Sequence, residues 1–156
     1  MARTFRWAER ADDDALGRVM YEAVRSGESR YSERQREAWV PAPRSGPEWT
    51  ARLAGQDVIV AEEEGEILGF MSLASGGYVD FAYIRPRARH SGLFRQLYEL
   101  IEALAASRGH DLLSVHASLT AEPAFSAVGF AIGHEEEVEL GGERFQRFAM
   151  EKRLSI

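Results

Sequence analysis

Between Tyr78 and Ala117 the chain runs through a strand-like stretch, YVDFAYIRP, a loop, RARHSG, an apolar-periodic stretch, and a second strand-like stretch, DLLSVHA. No other feature constrains the fold as much. Pro86 ends the first stretch, because proline has no N–H to give to a ladder. Leu93, Leu97, Leu100, Ile101, Leu104 and Ala105 recur at helical spacing and predict one long amphipathic helix closed by Gly109. Strand, helix and strand joined this way predict a right-handed parallel crossover. The loop is also unusual in charge. Arg87, Arg89 and Arg95 surround the helix start, where the helix dipole already places partial positive charge. An anion seated on the unpaired N–H groups of the first turn would account for these cations.

The flanking segments predict the rest of the layout. Phe5 to Ala8 read as a short strand, and the aspartates that follow cap a helix bearing Leu16, Val19, Met20, Ala23 and Val24 on one face. Ser32 with Gln35 is a capping box for a second helix, which Pro41 and Pro43 stop. Pro47 and Gly55 bracket a third. DVIVAEEEGEILGFMSLAS reads as two strands around a solvated acidic turn. TAEPAFSAVGF predicts a short helix capped by Thr120, and the chain closes as a hairpin on Gly141-Gly142. The predicted class is α/β: a mixed, mostly antiparallel central sheet flanked by helices on both faces. Residues 1–156 are expected to form a single domain, since no repeat or linker divides them.

Composition narrows the function. Apolar residues make up 45% of the chain, enough for a core at this length. The formal charge of −6 argues against nucleic acid as a partner. With no cysteine there is no disulfide and no thiolate chemistry. No histidine pair has metal-ligand spacing, so no metal is expected. No apolar run approaches the roughly 20 residues of a membrane helix, and the first residues carry no apolar signal segment. A cytoplasmic protein without a membrane partner is the expectation.

Ile84-Arg85-Pro86 followed by Arg89-x-x-Gly92-x-Phe94 resembles the signature of the GCN5-related N-acetyltransferase (GNAT) superfamily: a strand ending in V-x-P, then Arg or Gln, two residues, Gly, one residue, Gly or Ala. PAFSAVGF resembles the family's FYEKLGF segment, RFAMEKRL resembles its closing strand, and the element order is the same. LSVHASLTAEPAF together with AMEKRL is similar to the branch of small bacterial YafP-like members. The resemblance implies the acyl-CoA N-acyltransferase fold and acetyl-CoA as cosubstrate. It implies a pyrophosphate on the N–H groups of His90, Ser91, Gly92, Leu93, Phe94 and Arg95, with Arg87, Arg89 or Arg95 adding charge. It implies a pantetheine arm along Asp80 to Ile84, where the strand splays from Leu112–His116. A backbone N–H near Ala82 or Tyr83 would then polarise the thioester carbonyl. Two positions depart from the pattern. Phe94 stands where the signature ends in Gly or Ala, and either crowds the pyrophosphate or points away along the helix. Phe125 stands where the family has its acidic tyrosine, so the leaving thiolate would take its proton from water, from His116, or from nothing before it departs.

Asp80, an ionisable group inside an apolar run, reads as a general base or an anchor for the amine, or as a residue turned to solvent. His116 is a catalytic candidate or a plain strand residue. Tyr31, Trp39 and Ser118 are candidates for the acceptor wall, the two aromatics alternatively for the core. The resulting expectation is acetyl transfer from acetyl-CoA to a small-molecule or protein amine, by direct attack in a ternary complex. The alternatives are a non-catalytic acyl-CoA binder or sensor and an interaction module of the same fold. Exposed strand edges of this fold are compatible with a homodimer.

Overall fold

The computed structural model describes residues 2–154. In chain order the elements are β1 (Thr4–Trp7), α1 (Asp13–Arg25), α2 (Glu33–Trp39), α3 (Pro47–Ala54), β2 (Asp57–Glu63), β3 (Glu66–Leu73), β4 (Tyr78–Val79), β5 (Ala82–Ile84), α4 (Leu93–Ser107), β6 (Leu112–Ser118), α5 (Glu122–Ala127), β7 (Ala131–Leu140) and β8 (Glu143–Arg153). Local chemistry explains most boundaries. Ser32 Oγ accepts from Gln35 N at 3.1 Å and Gln35 Oε1 accepts from Ser32 N at 2.8 Å, a closed capping box. The β2–β3 and β7–β8 turns are two-residue turns with left-handed backbone at both positions: φ 52° and 78° at Glu64-Gly65, 60° and 83° at Gly141-Gly142. Their twist matches that of the paired strands.

Two predicted caps fall elsewhere. Thr120 does not cap α5; its Oγ1 accepts from Arg30 N at 3.1 Å, and Ser118 Oγ takes the amide of Ala121 at 3.0 Å instead. The aspartates do not cap α1 through a side chain. Asp12 closes a short 3₁₀ turn by accepting from Glu9 N at 2.7 Å, and it is gripped by Arg6 at 2.8 and 2.9 Å. The Arg6 hydrogen bonds lower the Asp12 pKa, burial works against them, and the Glu9 amide adds to the lowering. A carboxyl depressed in the folded state stabilises it above the unfolded pKa, near 4, and loses that contribution as pH falls through the folded value. Asp12→Asn is therefore expected to cost about 1–2 kcal/mol at pH 7. The gap to the parent protein should shrink at pH 3, as read by urea denaturation at both pH values.

The strands form two four-stranded sheets, ordered β1-β2-β3-β5 and β4-β6-β8-β7. Only β4 and β6 run parallel; the other pairs are antiparallel. The mixed, mostly antiparallel sheet expected from the sequence is built as two sheets that part between β4 and β5, and the run YVDFAYI is two strands rather than one. The break lies at Asp80-Phe81. Ser72, fully buried, donates its N–H to Phe81 O and accepts Phe81 N–H on its Oγ, both at 2.9 Å. Phe81 packs on Trp49 and Phe70 with centroids 5.3 and 5.9 Å away. This clamp carries the chain onto β3 immediately after it has paired with β6.

Helices cover both faces. Val58, Val60, Ile67 and Phe70 pack with α1 and α3, while Ile59, Ala61, Leu68 and Met71 pack with α4. β2 and β3 are covered on both sides, which is why they read as continuous apolar runs rather than alternating ones.

Candidate active site

The split between sheets leaves one edge of β5 unpaired. Phe81 O accepts from Ser72 N and Arg85 N donates to Leu68 O, and Tyr83 lies opposite Phe70 in the same register. The backbone groups of alternate residues point to opposite sides of a strand. Those of Phe81, Tyr83 and Arg85 are therefore used on β3, and those of Ala82 and Ile84 face the gap. Of the two amides expected as carbonyl donors, Ala82 is the available one and Tyr83 is not.

A groove of about 890 Å³ follows this edge from the start of α4. His90, Gly92, Leu93, Phe94 and Arg95 line one end, and Ala82, Tyr83 and Ile84 line the middle. The first α4 amide with an internal acceptor is Gln96, on Gly92 O at 3.1 Å. The amides of residues 90–95 have no acceptor among the described residues. His90 and Gly92 are left-handed, with φ 59° and 82°, a geometry that lets successive N–H groups converge on one anion. A Cβ built on Gly92 would meet no atom within 4 Å, so this position opens on free space. The Ser91 hydroxyl turns away from the groove to Ala88 O and to Arg3, whose guanidinium reaches it at 2.6 Å.

The arginines are a correction. Arg87 pairs with Glu66 at 2.6 Å. Arg89 donates to Ala23 O at 2.7 Å and Glu28 O at 3.2 Å. Arg36 joins it there, on Val24 O at 2.6 Å and Gly27 O at 3.0 Å. Cations are favourable on the terminal carbonyls of a helix, so Arg89 chiefly ties the loop before α4 to the end of α1. Burial, and then the nearby Arg36, lower its pKa. Arg95 donates to Ala127 O at 3.0 Å and still lines the groove. What this end of the groove offers an anion is first its unengaged backbone amides, with Arg89 and Arg95 in the walls.

At its inner end the groove meets a second pocket of about 140 Å³, and Trp39, Ala82, Tyr83 and Ser118 line both. Asp80, His116 and Tyr31 line the inner pocket too, so every acceptor-side candidate converges there. Asp80 is not free. Arg52 holds it at 2.9 and 3.1 Å and Gln56 at 2.9 Å. His116 Nδ1 lies 2.8 Å from the Tyr78 hydroxyl, and its Nε2 is 3.6 Å from Glu136 Oε1. The Tyr31 hydroxyl donates to Gln146 O at 2.5 Å and accepts from Leu119 N at 3.0 Å, so Tyr31 offers the pocket its ring. Burial raises the pKa of the Tyr83 hydroxyl far above the ordinary tyrosine value, against the opposing field of Arg52. Burial also raises that of Tyr78, with Asp80 adding to it. Phe145 and Arg147 of β8 complete the walls; nothing local in the sequence marks them.

Residues 28–153 match the model of the acetyltransferase (GNAT) domain family. The chain belongs to the GNAT acetyltransferases. It is 32% identical over 120 residues to the uncharacterised N-acetyltransferase YafP of Escherichia coli strain K12, covering 77% of this chain and 75% of that protein. A crystal structure of a GCN5-related N-acetyltransferase from Rhodopseudomonas palustris superposes with a TM-score of 0.92 at 28% identity, covering 99% and 97% of the two chains. The PaiA N-acetyltransferase of Thermoplasma acidophilum, solved in complex with coenzyme A, shares the fold with a TM-score of 0.76 at 20% identity, covering 99% and 100%.

In this GNAT chain the two departures from the family pattern sit side by side. Phe94 meets Phe125 edge-on, with centroids 5.0 Å apart, so its ring forms a wall of the groove rather than a plug. Phe125 is 1% exposed, packs on Phe130 at 5.2 Å, and brings no hydroxyl to the inner pocket. Among the described residues no cluster of three potential metal ligands occurs, and no helix is long and apolar enough to cross a membrane.

Proposed function

We propose that this chain moves an acetyl group from acetyl-CoA to a primary amine by direct attack in a ternary complex. The observation that carries the reading is the continuous path from the unpaired amides of residues 90–95, along the open edge of β5, into the pocket that holds Asp80 and His116. The residues present fit an acyl-CoA: N–H donors for a pyrophosphate at a helix start, and free backbone groups at Ala82 and Ile84 for an amide-bearing arm. Acetyl-CoA supplies the activated thioester. The Ala82 N–H, already oriented, stabilises negative charge developing on the carbonyl oxygen.

The amine must lose a proton as it attacks. With Nδ1–H donating to the Tyr78 oxygen, His116 Nε2 carries the lone pair that takes it, and Glu136 beside it steadies the cation. The new C–N bond forms, the C–S bond breaks, and His116 returns the proton to the leaving sulfur. One residue then serves as base and acid where Phe125 leaves the usual tyrosine missing. Asp80, gripped by Arg52 and Gln56, is better placed to orient the amine through a hydrogen bond than to take its proton. Asp80→Asn should therefore raise the amine KM about tenfold and change kcat little. A loss of kcat of about a hundredfold at unchanged KM would instead make Asp80 the base.

The missing hydroxyl at Phe125 favours one second reading, a non-catalytic acyl-CoA sensor. Calorimetric titration with acetyl-CoA, followed by thiol release over a panel of amines, separates the two. Micromolar binding with turnover supports the transferase. Binding with no turnover on any amine supports the sensor, and no binding up to millimolar ligand removes both.

A further inference from the structure

The inner pocket carries a charged group that acetyl transfer does not use. Arg147 on β8 donates its Nε–H to Glu136 at 2.6 Å, and its two terminal nitrogens make no hydrogen bond to any described residue. Arg147 lines the pocket, and its side chain is about one-third exposed. A fork of unengaged N–H groups matches a carboxylate in shape and charge. The other ionic groups nearby are already paired: Asp80 with Arg52, and Glu136 with Arg147.

The sheet register gives the distance scale. Ser118 lies opposite Arg147, and His116 opposite Ala149. Arg147 is thus the diagonal neighbour of His116 on one sheet face, where such residues lie roughly 7–8 Å apart and their Cβ atoms somewhat closer. One small molecule can place an amine at His116 and a carboxylate at Arg147. The remaining wall is aromatic. Tyr31 and Phe145 lie 5.4 Å apart, Tyr31 and Trp39 6.0 Å, and Trp39 and Tyr83 6.2 Å. The pocket volume of about 140 Å³ is close to that of an apolar cavity of about 150 Å³ that accepts benzene.

Building on the acetyl-transfer reading, we propose that the acceptor is a primary amine that also bears a carboxylate, on a small apolar body, with Arg147 holding the carboxylate. The class is that of small apolar amino acids.

The test compares L-phenylalanine and L-leucine with phenethylamine and isoamylamine, which keep the body and amine and lack the carboxylate. CoA release is followed with a thiol reagent, to which this cysteine-free chain adds no background. The amino acids should be at least about tenfold better in kcat/KM, in line with a charge-assisted pair. Arg147→Gln should erase that preference, chiefly through KM, and leave acetyl-CoA affinity unchanged. Arg147→Lys, which keeps the charge and loses the fork, should fall between, and it carries the same comparison if the glutamine variant does not fold. Equal rates for the paired amines, or a preference that survives Arg147→Gln, would overturn the proposal. If no amine is acetylated, the transfer reading fails separately, and calorimetry on the protein with CoA bound decides this one. Phenylalanine binding that weakens about tenfold in Arg147→Gln upholds it; equal binding of phenylalanine and phenethylamine, or no binding of either, rejects it.

Discussion

Gly92→Glu is expected to lower acetyl-CoA affinity by about a hundredfold, a loss that calorimetry would read. The position is left-handed, with φ 82°, and faces open space, so the new side chain meets no packed atom. It does meet the region where the amides of residues 90–95 converge. A carboxylate about 5 Å from a pyrophosphate charge costs on the order of 3 kcal/mol at an effective dielectric near 20, which is the expected hundredfold. Backbone strain is the competing cause, and it is separable. Asparagine tolerates left-handed backbone and carries no charge. Gly92→Asn should therefore keep affinity within a few-fold while sharing most of any loss in stability. If the two variants bind acetyl-CoA equally, or Gly92→Glu binds like the parent protein, the anion sits elsewhere.

His116→Gln is expected to cut kcat by about a hundredfold or more, the range for losing a general base, and to leave acetyl-CoA affinity intact, as read by thiol release and calorimetry. Glutamine preserves a polar side chain beside Tyr78 but cannot hold the transferred proton. Tyr78→Phe removes the hydroxyl that orients the ring through Nδ1. Its effect should be smaller, about tenfold on kcat, and nearly absent in the His116→Gln background, because the two residues act as a unit. Full activity in His116→Gln would return the proton transfers to water.

Much of the fold could be read without coordinates. The capping box at Ser32, the Gly141-Gly142 turn, the long α4 periodicity and the parallel unit on either side of it all follow from residues within a few positions of each other. Asp12 stands at the α1 N-cap and Asp13 and Asp14 in its first turn, but the side chains of Asp12 and Thr120 do not cap, because each has a partner outside the helix: Arg6 for one, the amide of Arg30 for the other. The break in YVDFAYI was hidden because its cause, the buried Ser72 hydroxyl, lies nine residues upstream in a neighbouring strand.

The site divides in the same way. A left-handed glycine before an amphipathic helix, after a strand ended by proline, is a local pattern. It predicts unpaired amides in the first turn of α4, and the resemblance to the GNAT signature is what implied residues 90–95. The loop arginines carried a misleading signal. Charge is visible in sequence, but whether a guanidinium is available depends on which carbonyls and carboxylates fold against it, and for Arg87 and Arg89 those lie in β3 and α1. The inner pocket has no local signature at all. It joins Tyr31 and Trp39, Asp80, His116, and Phe145 with Arg147, segments that meet because the chain leaves β6 after β4 and β5 joins β3, which opens a gap between two sheets. The sequence by itself determined most of the elements and the unpaired amides at the start of α4, since periodicity and helix starts are properties of short stretches. Only the tertiary structure decided which charges stay unengaged and what the pocket contains, because hydrogen-bond partners are chosen across the fold.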